Sequence, residues 1–311
     1  MPDAEKLILF EPWNMGDALI AAAIALQEPT RLAIACNPHW HPLIRAAAEG
    51  LTPPELLAVD LDYVSRRRTG RWNPGPLTVI STAATPVATI RGDIRDYAAA
   101  RKLFPNASIR SNGWLAFTAR RSTLLDLPFA RGWLAVRNRY RAWAAITSTP
   151  WQLVERFYQQ KLPTPPSPLV TIHIGARWRS KQYPHVAKLA ELLTKTHQVQ
   201  IVAVPADPLP DGIAETEVRR LIDHPLVDAF RASTHVIING SGPMHLAAIL
   251  LAIRIPSRAS HPSRKGSHQQ PSQSKPKPHP RGYRPHPAYM SDTVIEGWPS
   301  PEEIVDRLKL N

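Results

Sequence analysis

The chain has 311 residues, 43% of them apolar, a single cysteine and a formal net charge of +13. That length is ample for two domains of ordinary size, while the lone Cys36 excludes an internal disulfide and a cysteine-based zinc site. No apolar run reaches the roughly 18 residues of a membrane span, the N-terminus lacks a signal-peptide pattern, and the cytoplasm is the expected compartment.

In chain order, "KLILFE" (6–11) predicts a strand and "DALIAAAIALQ" (17–27) an alanine-rich helix. A strand at "RLAIAC" (31–36), a helix at "HPLIRAAAEG" closed by Gly50, and strands at "LLAVD" (56–60) and "LTVIST" (77–82) follow. Strands apolar on both faces, alternating with helices, predict a parallel sheet covered by helices. The pattern blurs between residues 105 and 148. "TPWQLVERFYQQKL" then predicts a helix with Thr149 as N-cap and Pro150 at its first position. "PTPPSP" (163–168) is a stiff connection of the kind found between domains.

A second alternation begins at once. "LVTIHI" (169–174) predicts a strand, "PHVAKLAELLTKT" (184–196) a helix and "VQIVAVPA" (199–206) a strand. Helices near 214–223 and 225–232, a strand at "HVIIN" (235–239) and a helix at "PMHLAAILLA" (243–252) complete it. Two such halves predict an α/β protein of two Rossmann-like domains, with ligands held between them beyond the carboxyl ends of the strands. The expected boundaries are 1–148 and 169–253, joined by 149–168.

From Arg254 this logic fails. Residues 254–290 hold eight lysines or arginines, eight prolines and no acid, a composition that cannot bury enough surface to offset its ordering entropy. Helix grammar returns at "SPEEIVDRLKL" (300–310), with Ser300 as cap and Pro301, Glu302 and Glu303 in the first turn, within a C-terminal unit of 291–311. Most of the positive charge therefore sits in one polar segment. A second basic stretch, Arg110 to Arg141, has seven arginines against Asp126 alone, interleaved with Trp114, Phe117, Trp133, Tyr140 and Trp143. It suits phosphates, anionic headgroups or plain solvent, and basic balance alone does not make a nucleic-acid binder.

Three turns carry the chemistry. In "NGSGPMHLAAIL" a strand ends at Asn239, Gly240 and Gly242 permit a tight turn, and Pro243 starts a helix. The free N–H groups within residues 241–246, where Pro243 has none, form an anion site there, with Ser241 adding a hydroxyl and Met244 and His245 in the first helical turn. In "IHIGARWRSKQYP" Gly175 follows the first strand of its half and opens a cationic loop of Arg177, Arg179 and Lys181. Lys181 is the preferred diphosphate contact. In "EPWNMGDALIAAA" Gly16 permits close approach and Asp17 heads a helix, as a cap or as a general base. Asp207, after the strand "IVAVPA", is either a ribose contact or a solvated loop acid. Other signals are weak. The "DLD" at 60–62 is short enough to arise by chance, His39 and His41 have no nearby third ligand for a metal, and Cys36 reads as packed. Neither G-x-G-x-x-G nor G-x-x-x-x-G-K-[ST] occurs.

Together these stretches resemble the heptosyltransferases of glycosyltransferase family 9, over roughly residues 5–253. "MGDALIAAA" is similar to the family's N-terminal G-D motif, whose aspartate is its proposed base, here Asp17. "HIGARWRSKQYP" resembles its glycine-rich loop ending in K-x-W-P, with Lys181 in place and Tyr183 instead of the tryptophan. "NGSGPMHLAAIL" is similar to its D-[ST]-G-x-x-H-L-A-A signature, with Ser241, Gly242 and His245 matching and Gly240 where the family has aspartate. The resemblance implies a GT-B fold, an inverting mechanism, a nucleotide-sugar donor as substrate, and no cofactor or metal. It further implies a lipopolysaccharide-core or related glycan acceptor, and with it a peripheral contact with the anionic inner membrane face and no specific nucleic acid.

The family continues past its His-Leu-Ala-Ala helix into an apolar strand and a glycine loop. Residues 254–290 stand in that place, either as a genuine disordered replacement or because the coding frame is displaced and later restored. The abrupt return of helix grammar favours the second, which a coding DNA without compensating shifts would exclude. Two alternatives to an active transferase are an inactive GT-B module that binds nucleotide sugar or glycan, and a basic nucleic-acid binder.

Overall fold

The computed structural model describes residues 5–61, 78–90, 94–111, 139–154, 168–176, 182–239, 242–251 and 300–309. The first sheet has five parallel strands in the order β3-β2-β1-β4-β5: β1 (Leu7–Phe10), β2 (Leu32–Cys36), β3 (Glu55–Ala58), β4 (Val87–Thr89) and β5 (Ile109–Ser111). Its helices are α1 (Met15–Ala25), α2 (His41–Ala47), α3 (Ile94–Leu103) and α4 (Arg139–Thr147). The central β1 is buried at every position, as a strand covered on both faces must be.

The second sheet has four parallel strands in the order β8-β7-β6-β9: β6 (Leu169–His173), β7 (Gln198–Ala203), β8 (Val218–Arg220) and β9 (His235–Ile238). Around it lie α5 (Val186–Leu193), α6 (Asp223–Arg231) and α7 (Gly242–Leu251), and α8 (Pro301–Lys309) packs on α5. The Ser300 cap forms as the sequence predicts. Its Oγ accepts from the Glu303 N–H at 3.1 Å, and Glu303 Oε2 accepts from the Ser300 N–H at 3.3 Å, which closes a capping box.

Two sequence expectations are corrected. The strand expected at 77–82 is not one over its described residues 78–82; Ile80 donates its N–H to the Leu103 carbonyl at the end of α3. The sheet takes Val87–Thr89 instead, because those residues lie in parallel register with Ile8 and Leu9. The helix expected near 214–223 is a short 3-10 turn at Glu215–Glu217 followed by β8, an edge strand paired through Ile201 with Val218. The connection at 163–167 and the basic segment 254–290 lie outside the described residues.

In each sheet the first strand of the half has later strands on both sides, so the chain winds outward from it in one direction and then in the other: β2 and β4 flank β1, and β7 and β9 flank β6. These are the topological switch points where open α/β sheets hold ligands. The two halves also share one hydrophobic core. Helix α1 is buried along Asp17–Ala25 and shows no polar face, because α7 covers the side that would otherwise meet solvent. Its alanines keep it thin enough for that approach. Leu43, Ile44, Ala46 and Ala47 of α2 belong to the same cluster as Leu226, Val227, Ala229 and Phe230 of α6. Arg231 spans that junction, donating to the Ala46 carbonyl at 2.9 Å and pairing with Glu49. Among the described residues no helix is long and apolar enough to cross a membrane.

Candidate functional site

The turn after β1 places Asp17 as the third residue of α1, buried apart from a small solvent-facing fraction. The helix cap is Asn14, but its amide does not cap; it donates to Asp17 Oδ2 at 3.1 Å. The other carboxylate oxygen forms an ion pair with Arg139, at the first position of α4. Asp17 is therefore an oriented carboxylate met by a cation, rather than a simple cap.

The glycine turns of the two halves touch. A methyl built on Gly16 would lie 3.1 Å from Gly242 Cα and 3.1 Å from His245 Cδ2, and one built on Gly242 would collide with the Met15 side chain. At Gly16, where the neighbours are backbone and a ring, a residue without Cβ is what lets these helix starts approach so closely, whereas at Gly242 the flexible end of Met15 could swing aside. Pro243 stands at the second position of α7, where its missing N–H breaks no helical bond. His245 is 2% exposed, and its Nδ1 lies 2.9 Å from the Tyr140 hydroxyl.

At the end of β6, Gly175 is kept bare by Asp207, since a Cβ there would overlap that carboxylate. Burial pushes the Asp207 carboxyl above its usual range, partly offset by the Val204 N–H and the Arg220 charge. Arg220 fixes this turn by donating to the Val204 and Asp207 carbonyls at 3.1 and 2.7 Å. Beneath it, the His173 imidazole is pushed down to about 4 by burial and is neutral near pH 7. Its Nε2 lies 4.0 Å from Asp207 Oδ2, a proximity without an ion pair.

Asn239, at the end of β9, is buried and holds both ends of the loop after Gly175. Its Nδ2 donates to the Ile174 carbonyl at 2.8 Å, and its Oδ1 accepts from the Tyr183 N–H at 3.0 Å. Gln182 adds a bond of 2.8 Å to the Pro208 carbonyl. Tyr183 is buried with its hydroxyl pushed up to about 12 by burial and by Glu302 and Glu303 of α8.

Thus the structure brings Gly16, Asp17, Gly242, Pro243, Met244 and His245 to one junction, and Gly175 and Asp207 to the neighbouring strand end. Lys181 and Ser241, with Arg177, Arg179 and Gly240, lie outside the described residues. Sequence reasoning did not assign Arg139 or Tyr140 to this junction, and it missed the two hydrogen bonds of Asn239. The first two sit where the periodic signal faded, and Asn239 was legible only as a polar end to an apolar strand. Cys36 is buried as expected, its thiol pushed up to about 12 by burial and by the nearby Glu11.

No protein-family model matches the sequence, and no curated protein matches it. The fold is matched by solved structures. The heptosyltransferase WaaC of E. coli with ADP superposes with a TM-score of 0.51 at 13% identity, over 80% of this chain and 89% of that one. WaaC with ADP-2-deoxy-2-fluoro heptose gives 0.48 at 14%, over 79% and 86%. A family 9 glycosyl transferase from Veillonella parvula gives 0.49 at 15%, over 80% of each chain. The chain accordingly has a two-domain α/β GT-B fold of the heptosyltransferase-like kind.

Proposed function

We propose that this protein is an inverting glycosyltransferase that moves a sugar, heptose-like by resemblance, from a nucleoside-diphosphate donor to a glycan or glycolipid acceptor. The observation that carries the reading is the contact of Gly16 with Gly242. It sets an oriented carboxylate beside a helix start suited to phosphates, where the turns after β1 and β9 meet.

Asp17 accepts the proton of the acceptor hydroxyl, whose oxygen bonds to the anomeric carbon as the bond from that carbon to the diphosphate breaks. The nucleoside diphosphate departs with the electron pair. Its charge is met by Lys181, by Ser241 and by the N–H groups at the start of α7 around Gly242, Met244 and His245, while Gly175, having no side chain, lets Asp207 close against the end of β6 and offers its own backbone to the donor. Asp207, after the second strand of its half, is the ribose contact, the position where Rossmann-like sites carry an acid. WaaC, with ADP in its solved form, makes adenine the first base to try. The lipopolysaccharide-type acceptor and a peripheral contact with the anionic membrane face belong to the same reading.

Calorimetric titration with ADP, GDP and UDP, beside a Lys181→Ala variant, tests it. Binding of one nucleotide, weakened in the variant, is expected. Binding without donor turnover leaves an inactive module, and no binding to any nucleotide removes the transferase reading.

A further inference from the structure

We propose that Tyr140 is a positioning residue that holds the acceptor-side turn in register with the donor-side turn, acting through His245. This rests on the reading of those turns as a transferase site. His245 is the family-like signature histidine, yet its side chain is enclosed rather than presented to a cleft. Both it and Tyr140 are 2% exposed. The Tyr140 hydroxyl meets Nδ1 at 2.9 Å, and the two rings lie 5.8 Å apart at a 54° tilt. The opposite ring edge, Cδ2 and Nε2, faces Gly16, at 3.1 and 3.7 Å from where a Cβ would stand. The imidazole is thus a wedge with a phenol behind it and the base-bearing turn in front.

Its two neighbours come from the first half of the chain, while the wedge itself is the fourth residue of α7 in the second. Arg139, adjacent to Tyr140 on α4, pairs with Asp17. One turn of α4 therefore fixes the carboxylate directly and, through His245, its distance from the Gly242 turn. In this arrangement the His245 side chain positions, and the backbone around it meets the anion.

The first test is an amide NMR spectrum of the full chain carrying Tyr140→Phe. Loss of the hydroxyl leaves Nδ1 without that partner, and the Gly16, Asp17 and Gly242 resonances are expected to move although all three are remote from residue 140 in sequence. Changes confined to α4 overturn the proposal. The second test measures ADP affinity and the release of ADP from ADP-heptose. Misplacing reacting groups by about 1 Å costs on the order of 100-fold in rate, so Tyr140→Phe is expected to lower kcat by about 10- to 100-fold while the ADP Kd stays within about twofold. A parallel loss of ADP affinity would make His245 a direct ligand and overturn it, as would an unchanged kcat.

Should Tyr140→Phe fail to fold, His245→Asn and His245→Gln decide. Asparagine keeps a polar atom at the Nδ1 position, glutamine at Nε2, and the asparagine variant is expected to retain more activity and a more native spectrum. The reverse order sinks the proposal. Absence of ADP binding in the unaltered chain counts against the transferase reading alone, and the spectra still decide the coupling.

Discussion

Replacing Gly16 by alanine tests the junction on which the site is built. Carbon atoms pack at about 3.5–4.0 Å, whereas the new methyl would stand 3.1 Å from both Gly242 Cα and His245 Cδ2. One obstacle is backbone and the other a ring wedged against Tyr140, so α1 and α7 must part by roughly half an ångström. Overpacking of this kind costs about 1–3 kcal/mol, and exchanging glycine for alanine in a helix returns about 0.5–1 kcal/mol. The net expectation is a destabilisation of about 1 kcal/mol and at most about 2.5 kcal/mol, a fall in Tm of roughly 2–4 °C per kcal/mol for a chain of this size. Thermal melts read it, with Gly242→Ala and the double variant completing a cycle. If the first methyl has already parted the helices the second costs less, so a coupling of at least about 0.5 kcal/mol is expected. A Gly16→Ala protein that melts at or above the original temperature, with additive partners, would refute the packing argument.

Asp17→Asn should lower transfer by about 10²- to 10⁴-fold while leaving ADP affinity nearly unchanged, as donor-release assays and calorimetry would show. Asn239→Ala strands the Ile174 carbonyl and the Tyr183 N–H, each buried group costing about 1–3 kcal/mol. It should therefore lower the urea midpoint and loosen ADP binding together. Glu28 is held below the ordinary carboxylate range first by its hydrogen bond from Arg31, against burial and with help from Thr149. Because its folded pKa is depressed, its contribution is full above the ordinary carboxylate pKa and is lost as pH falls through the lowered value. Urea denaturation at neutral and acid pH should show that loss, and Glu28→Gln should flatten it.

The alternation of strands and helices was legible because parallel strands buried on both faces carry unbroken apolar runs, as Leu7–Phe10 does. The cap at Ser300 was legible because its chemistry is local. β4 was not, since Val87–Thr89 is short and the richer run at 77–82 lies outside the sheet over its described part; only the pairing with β1 distinguishes them. β8 reads as charged and helical because an edge strand with mixed burial has little alternation to show. At the site, the glycine turns and Asp17 announced themselves by spacing. Arg139 and Tyr140 did not, because their partners are over a hundred residues away in sequence and are chosen by how α4 packs.

The shared core has a consequence for anyone who would dissect the molecule. Helix α1 and helix α7 are each apolar around their circumference, and each is the other's cover. Cutting the chain between its halves would hand each fragment a bare greasy helix in place of a surface. The fragments should clump or seek each other out, and mixing them should restore a soluble pair. What looks in sequence like two modules on a string is, physically, one object with a join through its middle.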